Sequence, residues 1–136
     1  MRTRLINFVS VLVLGAFSAS SASAAPELPI RTSTQAAVTV AVTPRTFSGA
    51  VWEFELTFNT HSGALNDDIE KATTLTTDLG KTFSPVKWQG SPTGGHHRNG
   101  VLQFKPISPL PASIEIRITR EGEAQPRSFK WQLKGP

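Results

Sequence analysis

Apolar and polar residues alternate with a period of two along most of the chain after residue 35. The clearest example is residues 52–59, in which Trp52, Phe54, Leu56 and Phe58 alternate with polar residues. Successive side chains on a β-strand point to opposite faces, so this pattern predicts strands with one buried and one solvated face. Each of the following segments predicts one strand: residues 38–43, 52–59, 73–79, 83–88, 101–104, 114–119 and 128–133.

Turn signals rich in glycine, proline, asparagine and aspartate separate the predicted strands. Seven short strands at this spacing are typical of an antiparallel β-sandwich, so we predict an all-β, seven-stranded immunoglobulin-like sandwich of the fibronectin III or cadherin style. The chain has no cysteine, which excludes the Cys–Trp–Cys framework of an antibody-type domain. Pro85 interrupts one predicted strand and indicates an edge position or a bulge. Residues 66–72, NDDIEKA, are the one helical candidate and support a single turn.

The first 24 residues predict a secretory signal peptide that is removed from the folded domain. Arg2 and Arg4 precede an apolar stretch at residues 5–17, and the segment Ala22-Ser23-Ala24 fits the A-x-A cleavage rule. This stretch is shorter than the ~20 residues that span a bilayer, which disfavours the alternative of an uncleaved anchor. We therefore expect a flexible lead-in at residues 25–35, a single β-sandwich domain at residues 36–136, a periplasmic or secreted location, and no membrane anchor after cleavage.

Charge and cysteine content exclude several classes of function. The chain has 14 Lys and Arg residues against 10 Asp and Glu, a formal net charge of +4. Removal of Arg2 and Arg4 with the signal peptide leaves 12 against 10, a net charge of about +2 that is scattered along the chain. Nucleic-acid binding needs a clustered basic face, so no nucleic-acid partner is predicted. Without cysteine, histidine and carboxylate are the ligands left for a metal.

All three histidines fall in two segments that lie just outside predicted strands. His61 follows the second predicted strand, and His96 and His97 precede the fifth. If consecutive strands run antiparallel, both segments emerge at the same end of the sandwich. The loop after the sixth strand, with Glu121 and Glu123, emerges there as well. This shared end is the candidate functional site.

Three interpretations of the histidines stay open at this point. His61, His96 and His97, with a carboxylate, have the donor types of a Zn or Cu(II) site. They could instead form a structural polar network, with Gly94 and Gly95 supplying positive φ angles that let the loop bend back. The third interpretation is a pocket for a ligand or partner that uses protonatable histidine.

Arg98, Asp67 and Asp68 accompany the histidines and complete the predicted polar site. The two aspartates have the composition of a paired carboxylate site, but a solvated turn or a helix N-cap is the commoner role of such a pair. Ser62 lies beside His61, yet adjacency in sequence does not make a nucleophile–base pair. The chain also lacks a G-x-S-x-G elbow, a P-loop and a dinucleotide-binding glycine pattern. We therefore predict a protein that is not an enzyme and has no cofactor, apart from Cu(II) or Zn in the metal-binding alternative.

The chain contains the stretches FELTFNTHSGALNDD, TTDLGKTFSPVKWQGSP and GGHHRNGVLQF, and later SFKWQL. The first three resemble an uncharacterised family of small exported bacterial proteins with no established activity, and SFKWQL resembles the closing strand of such proteins. The N-T-H-S and G-G-H-H-R-x-G motifs carry the resemblance, which implies an exported sandwich with a site at His61, His96, His97 and Arg98. Members are often lipoproteins, and the lack of cysteine implies that this chain has no lipid tether.

The sequence as a whole predicts an exported, non-catalytic binding or interaction module. Its partner is an unidentified protein or small ligand, bound at the histidine-containing end of the sandwich. The alternative is a periplasmic Cu(II)- or Zn-binding protein that uses His61, His96 and/or His97.

Overall fold

The computed structural model describes residues 28–134, which form two antiparallel sheets of a β-sandwich. The strands are β1 (Arg31–Gln35), β2 (Val38–Thr46), β3 (Trp52–Thr60), β4 (Thr73–Thr77), β5 (Thr82–Phe83), β6 (Lys87–Gly90), β7 (His97–Phe104), β8 (Ser113–Ile118) and β9 (Arg127–Gln132), with one helical turn, α1 (Ile69–Ala72). The strand order is β1-β2-β3-β7-β6 in the first sheet and β5-β4-β8-β9 in the second. This confirms the predicted all-β class. The predicted signal peptide lies outside the described residues.

One hydrophobic core fills the space between the two sheets. In β3 every second residue from Trp52 to Phe58 is buried, as the alternation predicts. Trp52 in the first sheet and Trp131 in the second are 2% and 1% exposed, and the rings of Trp131 and Phe54 lie 6.0 Å apart across the sandwich. Full burial of each large apolar side chain stabilises the fold by about 1.5–3 kcal/mol, which is how a domain of this size holds together without disulfides.

Residues 28–134 contain nine strands where the sequence predicts seven. The first addition is β1, in the segment that the sequence predicts as a flexible lead-in. Its residues are all polar, so no apolar alternation indicates a strand, and it forms by backbone pairing with β2, from Arg31 opposite Val42 to Gln35 opposite Val38. The second addition arises at Pro85, which divides the predicted strand at residues 83–88 into β5 and β6.

The division at Pro85 moves the chain from one sheet to the other. β5 is an edge strand of the second sheet and β6 an edge strand of the first, which agrees with the edge position predicted for Pro85. The short helical turn α1 packs beside β6, and its predicted single turn is confirmed. Glu70 in α1 accepts a hydrogen bond from the backbone N–H of Trp88 at 2.7 Å. A backbone donor of the edge strand is thereby satisfied, which protects the edge from pairing with another chain. No helix in the described part of the chain is long and apolar enough to cross a bilayer.

The turn between β1 and β2 holds two alanines in the left-handed region, with φ of 49° at Ala36 and 60° at Ala37. Two central residues at positive φ are characteristic of the type I′ hairpin turn, whose twist matches that of the flanking strands. This conformation costs a non-glycine residue about 1 kcal/mol or more, so the turn is strained. Arg127 in β9 offsets the strain by donating hydrogen bonds to the carbonyl oxygens of Gln35 and Val38, both at 2.9 Å.

We predict that Ala36→Asn/Ala37→Gly stabilises the domain by about 1 kcal/mol, because asparagine and glycine adopt positive φ with less strain. Urea unfolding of residues 25–136 would show this as a higher midpoint with an unchanged slope. The control is Ala124→Gly, an exposed position outside the positive-φ residues, which should lower the midpoint or leave it unchanged. A double variant that is no more stable than the original chain would show that the turn is not strained.

Candidate functional site

Three loops, at residues 61–72, 91–96 and 119–126, meet at one end of the sandwich, which we call the histidine end. The pairing of β3 with β7 places Asn59 opposite His97, and the N–H of Thr60 donates to the carbonyl of His96 at 2.9 Å. Beyond β8, the N–H of Thr119 donates to the carbonyl of Ala72 at 2.9 Å. The loops therefore share one end, as the antiparallel strand order predicts.

All three histidines lie on the surface of this end. The Nδ1 atom of His97 lies 2.6 Å from the Oδ1 atom of Asn59, so His97 is held on the outer face of the first sheet. Within residues 28–134, no group of three or more His, Cys, Asp or Glu side chains is placed to hold a metal ion. The Cu(II) or Zn site at His61, His96 and His97 remains a prediction for titration to test.

Arg98 is the buried side chain that the G-G-H-H-R segment carries into the site. It is 3% exposed, and its guanidinium donates to the carbonyl oxygens of Asp67 at 2.7 Å, Ser91 at 3.3 Å and Leu65 at 3.4 Å. These bonds join the loop after β3 to the loop before β7. Burial lowers the pKa of the Arg98 guanidinium, and the negative charges of Asp67 and Asp68 oppose that shift. Among the described residues, no carboxylate forms an ion pair with Arg98, and its Nε atom has no hydrogen-bond partner.

Backbone hydrogen bonds at Leu65 join the same two loops. Its N–H donates to the carbonyl of Gly95 at 2.9 Å, and its carbonyl accepts from the N–H of Gly94 at 2.7 Å. Gly94 and Gly95 have φ of 104° and 74°, which confirms the prediction of positive φ in this loop. Because the Leu65 side chain is fully buried, the loop is anchored in the core as well as to its neighbour.

A continuous series of ion pairs runs through the histidine end, and we call it the ion-pair chain: Asp67, Arg120, Glu123 and Arg127. Both carboxylate oxygens of Asp67 accept from Arg120, at 3.1 and 3.2 Å. Glu123 accepts from Arg120 at 3.2 Å and from the Nε atom of Arg127 at 3.0 Å. All four side chains are at most 11% exposed, so water screens their charges far less than at the surface.

Two members of the ion-pair chain, Glu123 and Arg120, have shifted pKa values. The hydrogen bond from Arg127 lowers the pKa of Glu123 below its ordinary 4.5, and Arg120 adds to the effect while burial opposes it. For Arg120, burial favours a lower pKa, but the hydrogen bonds and charges of Asp67 and Glu123 outweigh it and raise the pKa. Both pKa shifts favour the charged forms of Arg120 and Glu123.

Two open clefts lie around the ion-pair chain. The larger, of about 520 Å³, is lined by charges of both signs, among them Asp68, Lys71, Arg120 and Glu121. The smaller, of about 260 Å³, shares Asp67 and Asp68 with the first and also contacts Glu70, Trp88 and Arg98. Asp68 is the N-cap of α1 and accepts from the N–H of Lys71 at 3.3 Å. The floor of the larger cleft is thus a fixed ion pair, and its rim carries exposed charges.

The structure brings the predicted polar residues together but distributes their roles differently. Asp68 has the N-cap role that the sequence favours, whereas Asp67 is paired with Arg120 rather than solvated. Arg120 and Arg127 were not predicted as site residues. Arg127 was detectable, because it shares the inward parity of Phe129 and Trp131 in β9, where a cation requires buried partners.

Comparison with protein-family models, with curated proteins and with solved structures found no match to this chain. The resemblance to exported bacterial proteins therefore stays a prediction, and the case for function depends on the geometry of the histidine end.

We predict that Glu123→Gln lowers the free energy of unfolding at pH 7 by about 2–3 kcal/mol, since it leaves two buried arginines short of a carboxylate. Because the folded pKa of Glu123 lies below the unfolded one, its stabilisation is present above about pH 4.5 and is lost as the pH falls through the lower folded pKa. The difference between the two proteins should therefore shrink in acid.

Urea unfolding at pH 7 and at about pH 3 measures this difference. Glu55→Gln is the matched control, because Glu55 pairs with Arg45 at the exposed surface and should contribute less than about 1 kcal/mol. A difference between Glu123→Gln and the original chain that does not change with pH would refute the linkage.

Proposed function

We propose that this chain is an exported, non-catalytic binding module whose ligand site is the larger cleft of the histidine end. The observation that carries the proposal is a cleft of about 520 Å³ with the Asp67–Arg120 ion pair fixed at its floor. Small-molecule sites commonly occupy about 300–1,000 Å³, and they need only a few polar groups in fixed positions. Export, to the periplasm or the medium, rests on the predicted signal peptide at residues 1–24.

Preorganisation supports binding at this cleft. Both oxygens of Asp67 and all three nitrogens of Arg120 are already hydrogen-bonded, so these side chains lose little conformational entropy when a ligand arrives. Around them, Asp68, Lys71 and Glu121 offer acceptors and donors at the rim. The ligand that fits is a small polar molecule, or a polar segment of a protein, that carries both hydrogen-bond donors and acceptors.

The carboxylates of the cleft suit fixed recognition better than proton transfer. Asp67 is engaged by Arg120, and Asp68 accepts the N-cap hydrogen bond and faces Lys71 at 3.5 Å. A general acid or base must reach the proton that it transfers, and the oxygens of these carboxylates are already engaged by groups of the protein itself. This is the reason for proposing a binding function over an enzymatic one.

We further propose that the sandwich is of the immunoglobulin-like type. If β2 to β9 are lettered A, B, C, C′, D, E, F and G, the sheets read A-B-E-D and C′-C-F-G. These are the strand orders of immunoglobulin-like domains, with β1 as an additional strand beside A. This type of fold is consistent with the single sandwich domain predicted at residues 36–136, but a fold type alone does not indicate a function.

A second candidate is the Cu(II)- or Zn-binding protein of the sequence analysis. The backbone hydrogen bond between Thr60 and His96 favours this candidate, because the bond brings the chain segments that carry His61 and His96 side by side. Its ligands would be His61, His96 and His97, on a surface separate from the lining of the larger cleft.

NMR titration of residues 25–136 separates the two candidates. The probes are free amino acids, dipeptides and monosaccharides for the cleft, and Zn and Cu(II) for the histidines. Cleft binding predicts saturable amide shifts at residues 64–72 and 119–121. Lys71→Glu/Glu121→Lys keeps the net charge and the ion-pair chain, and should weaken the binding of such a probe at least about tenfold. The matched control is Glu53→Lys/Lys87→Glu on the face of the first sheet.

Shifts that fall outside the cleft, or an affinity that the cleft variant leaves unchanged, would count against the cleft as the site. Metal-induced changes that His61→Ala and His97→Ala remove would favour the metal-binding candidate instead.

A further inference from the structure

Exposed aliphatic side chains gather at the end of the sandwich opposite the histidines. We call this the basic end and define it by the turn at residues 78–81, the loop at residues 105–112, and residues 28–30 and 133–134. Leu79 is 79% exposed, Ile30 58% and Leu110 42%. Among the described residues only one other large aliphatic side chain, Val86, is exposed. Aliphatic groups held in water at one end of a domain indicate an interaction surface.

Leu79 and Leu110 border the same groove, which has a volume of about 180 Å³. Its walls include Ile107, Pro109 and Pro111, and the loop at residues 105–112 has a third proline, Pro106. Proline fixes φ, so this loop presents Leu110 at a low cost in conformational entropy. The turn at residues 78–81 presents Leu79 beyond the end of β4.

Three exposed lysines lie at the basic end: Lys81 and Lys134 line the same groove, and Lys105 begins the loop at residues 105–112. Within the described residues, the acid at this end is Asp78, which accepts hydrogen bonds from the backbone N–H groups of Ala112 and Ser113 at 3.0 and 3.4 Å. The basic end therefore combines protruding leucines with free positive charge. This combination is typical of surfaces that bind anionic lipids, where aliphatic groups enter the interface and lysines meet the phosphates.

The position of the chain start points to the same partner. The carbonyl of Pro29 accepts a hydrogen bond from Nε1 of Trp131 at 2.7 Å, near the last residue of β9, so residues 1–27 join the domain at the basic end. Those residues include the apolar segment 5–17. If residues 1–24 direct export as the sequence predicts, the basic end is the end of the domain that is joined to the membrane-targeted segment.

We propose that the basic end docks on an anionic lipid surface, with Leu79 and Leu110 in the headgroup boundary and Lys81, Lys105 and Lys134 against the phosphates. The histidine end, with its clefts, then faces away from the membrane. The proposal uses none of the residues of the ligand cleft, so either can fail without the other.

Vesicle flotation with residues 25–136 tests the proposal, since this stretch contains all nine strands and lacks the apolar segment 5–17 that would itself enter a bilayer. The vesicles contain phosphatidylglycerol and phosphatidylethanolamine, or phosphatidylcholine alone. We expect flotation with the first and not with the second, and release by salt because the lysine contribution is screened.

Two variants address the two parts of the surface. Leu79→Ser/Leu110→Ser and Lys81→Gln/Lys134→Gln should each lower the partition coefficient at least about tenfold. Arg117→Gln/Lys130→Gln removes the same charge from the outer face of the second sheet and should change the partition coefficient less than about threefold. Circular dichroism verifies that each variant is folded, which the exposure of these side chains makes the expected result.

Absence of flotation of the original chain with phosphatidylglycerol vesicles would overturn the proposal and leave a protein as the partner of this end. The proposal would also be overturned if the control variant lost as much vesicle binding as the lysine variant, or if the leucine variant bound the vesicles as well as the original chain.

Discussion

The ion-pair chain of Asp67, Arg120, Glu123 and Arg127 is the constraint on which the histidine end depends. Its members come from the connection between β3 and β4, from the loop between β8 and β9, and from β9 itself. Removing one member of a buried ion pair leaves an uncompensated charge, which costs more than the intact pair contributes to stability. Each loop is therefore held in the position that satisfies the others.

The same charges reach the rest of the domain. Arg127 joins the ion-pair chain to the β1–β2 turn through its hydrogen bonds to Gln35 and Val38, which keeps a polar strand on the sheet and offsets a strained turn. At the other end of the network, Arg98 binds the carbonyl of Asp67 and connects the loop before β7. One group of arginines therefore connects the cleft to the β1–β2 turn and to the loop before β7. Among residues 28–134, the opposite end shows no such network and carries leucines and lysines instead, so the two ends suit partners of different chemistry.

Much of the fold could be predicted from the sequence because burial follows a local period. The inward positions of β3, such as Trp52 and Phe58, are confirmed, and so is the common end of the three loops. β1 could not be predicted, because its polar residues depend on hydrogen bonds to a strand and an arginine elsewhere in the chain. The sequence showed that Pro85 interrupts a strand. It could not show that the chain changes sheet there, because that change depends on tertiary contacts and not on the local alternation of residues.

The sequence predicted the location of the site better than it predicted the residues that form it. The histidines were predicted as site residues because imidazole binds metals and protons. His61, His96 and His97 lie at the surface, however, and the buried polar side chains of this end are arginines and the acids paired with them. Arg98 and Arg127 stand at inward positions of β7 and β9, but both lie just outside the predicted strands, so their burial was not predicted. The partner of Asp67 is Arg120, 53 positions away in a different loop, and such a pairing has no local signal.

Amide hydrogen exchange of Asp67→Asn measures most directly whether the ion-pair chain holds the loops of the histidine end. The account predicts that exchange at Leu65, Gly94 and Glu123 accelerates at least about tenfold, while the central amides of β3 and β7 keep their protection. Unchanged exchange at these loop amides, or an equal acceleration throughout the domain, would contradict it.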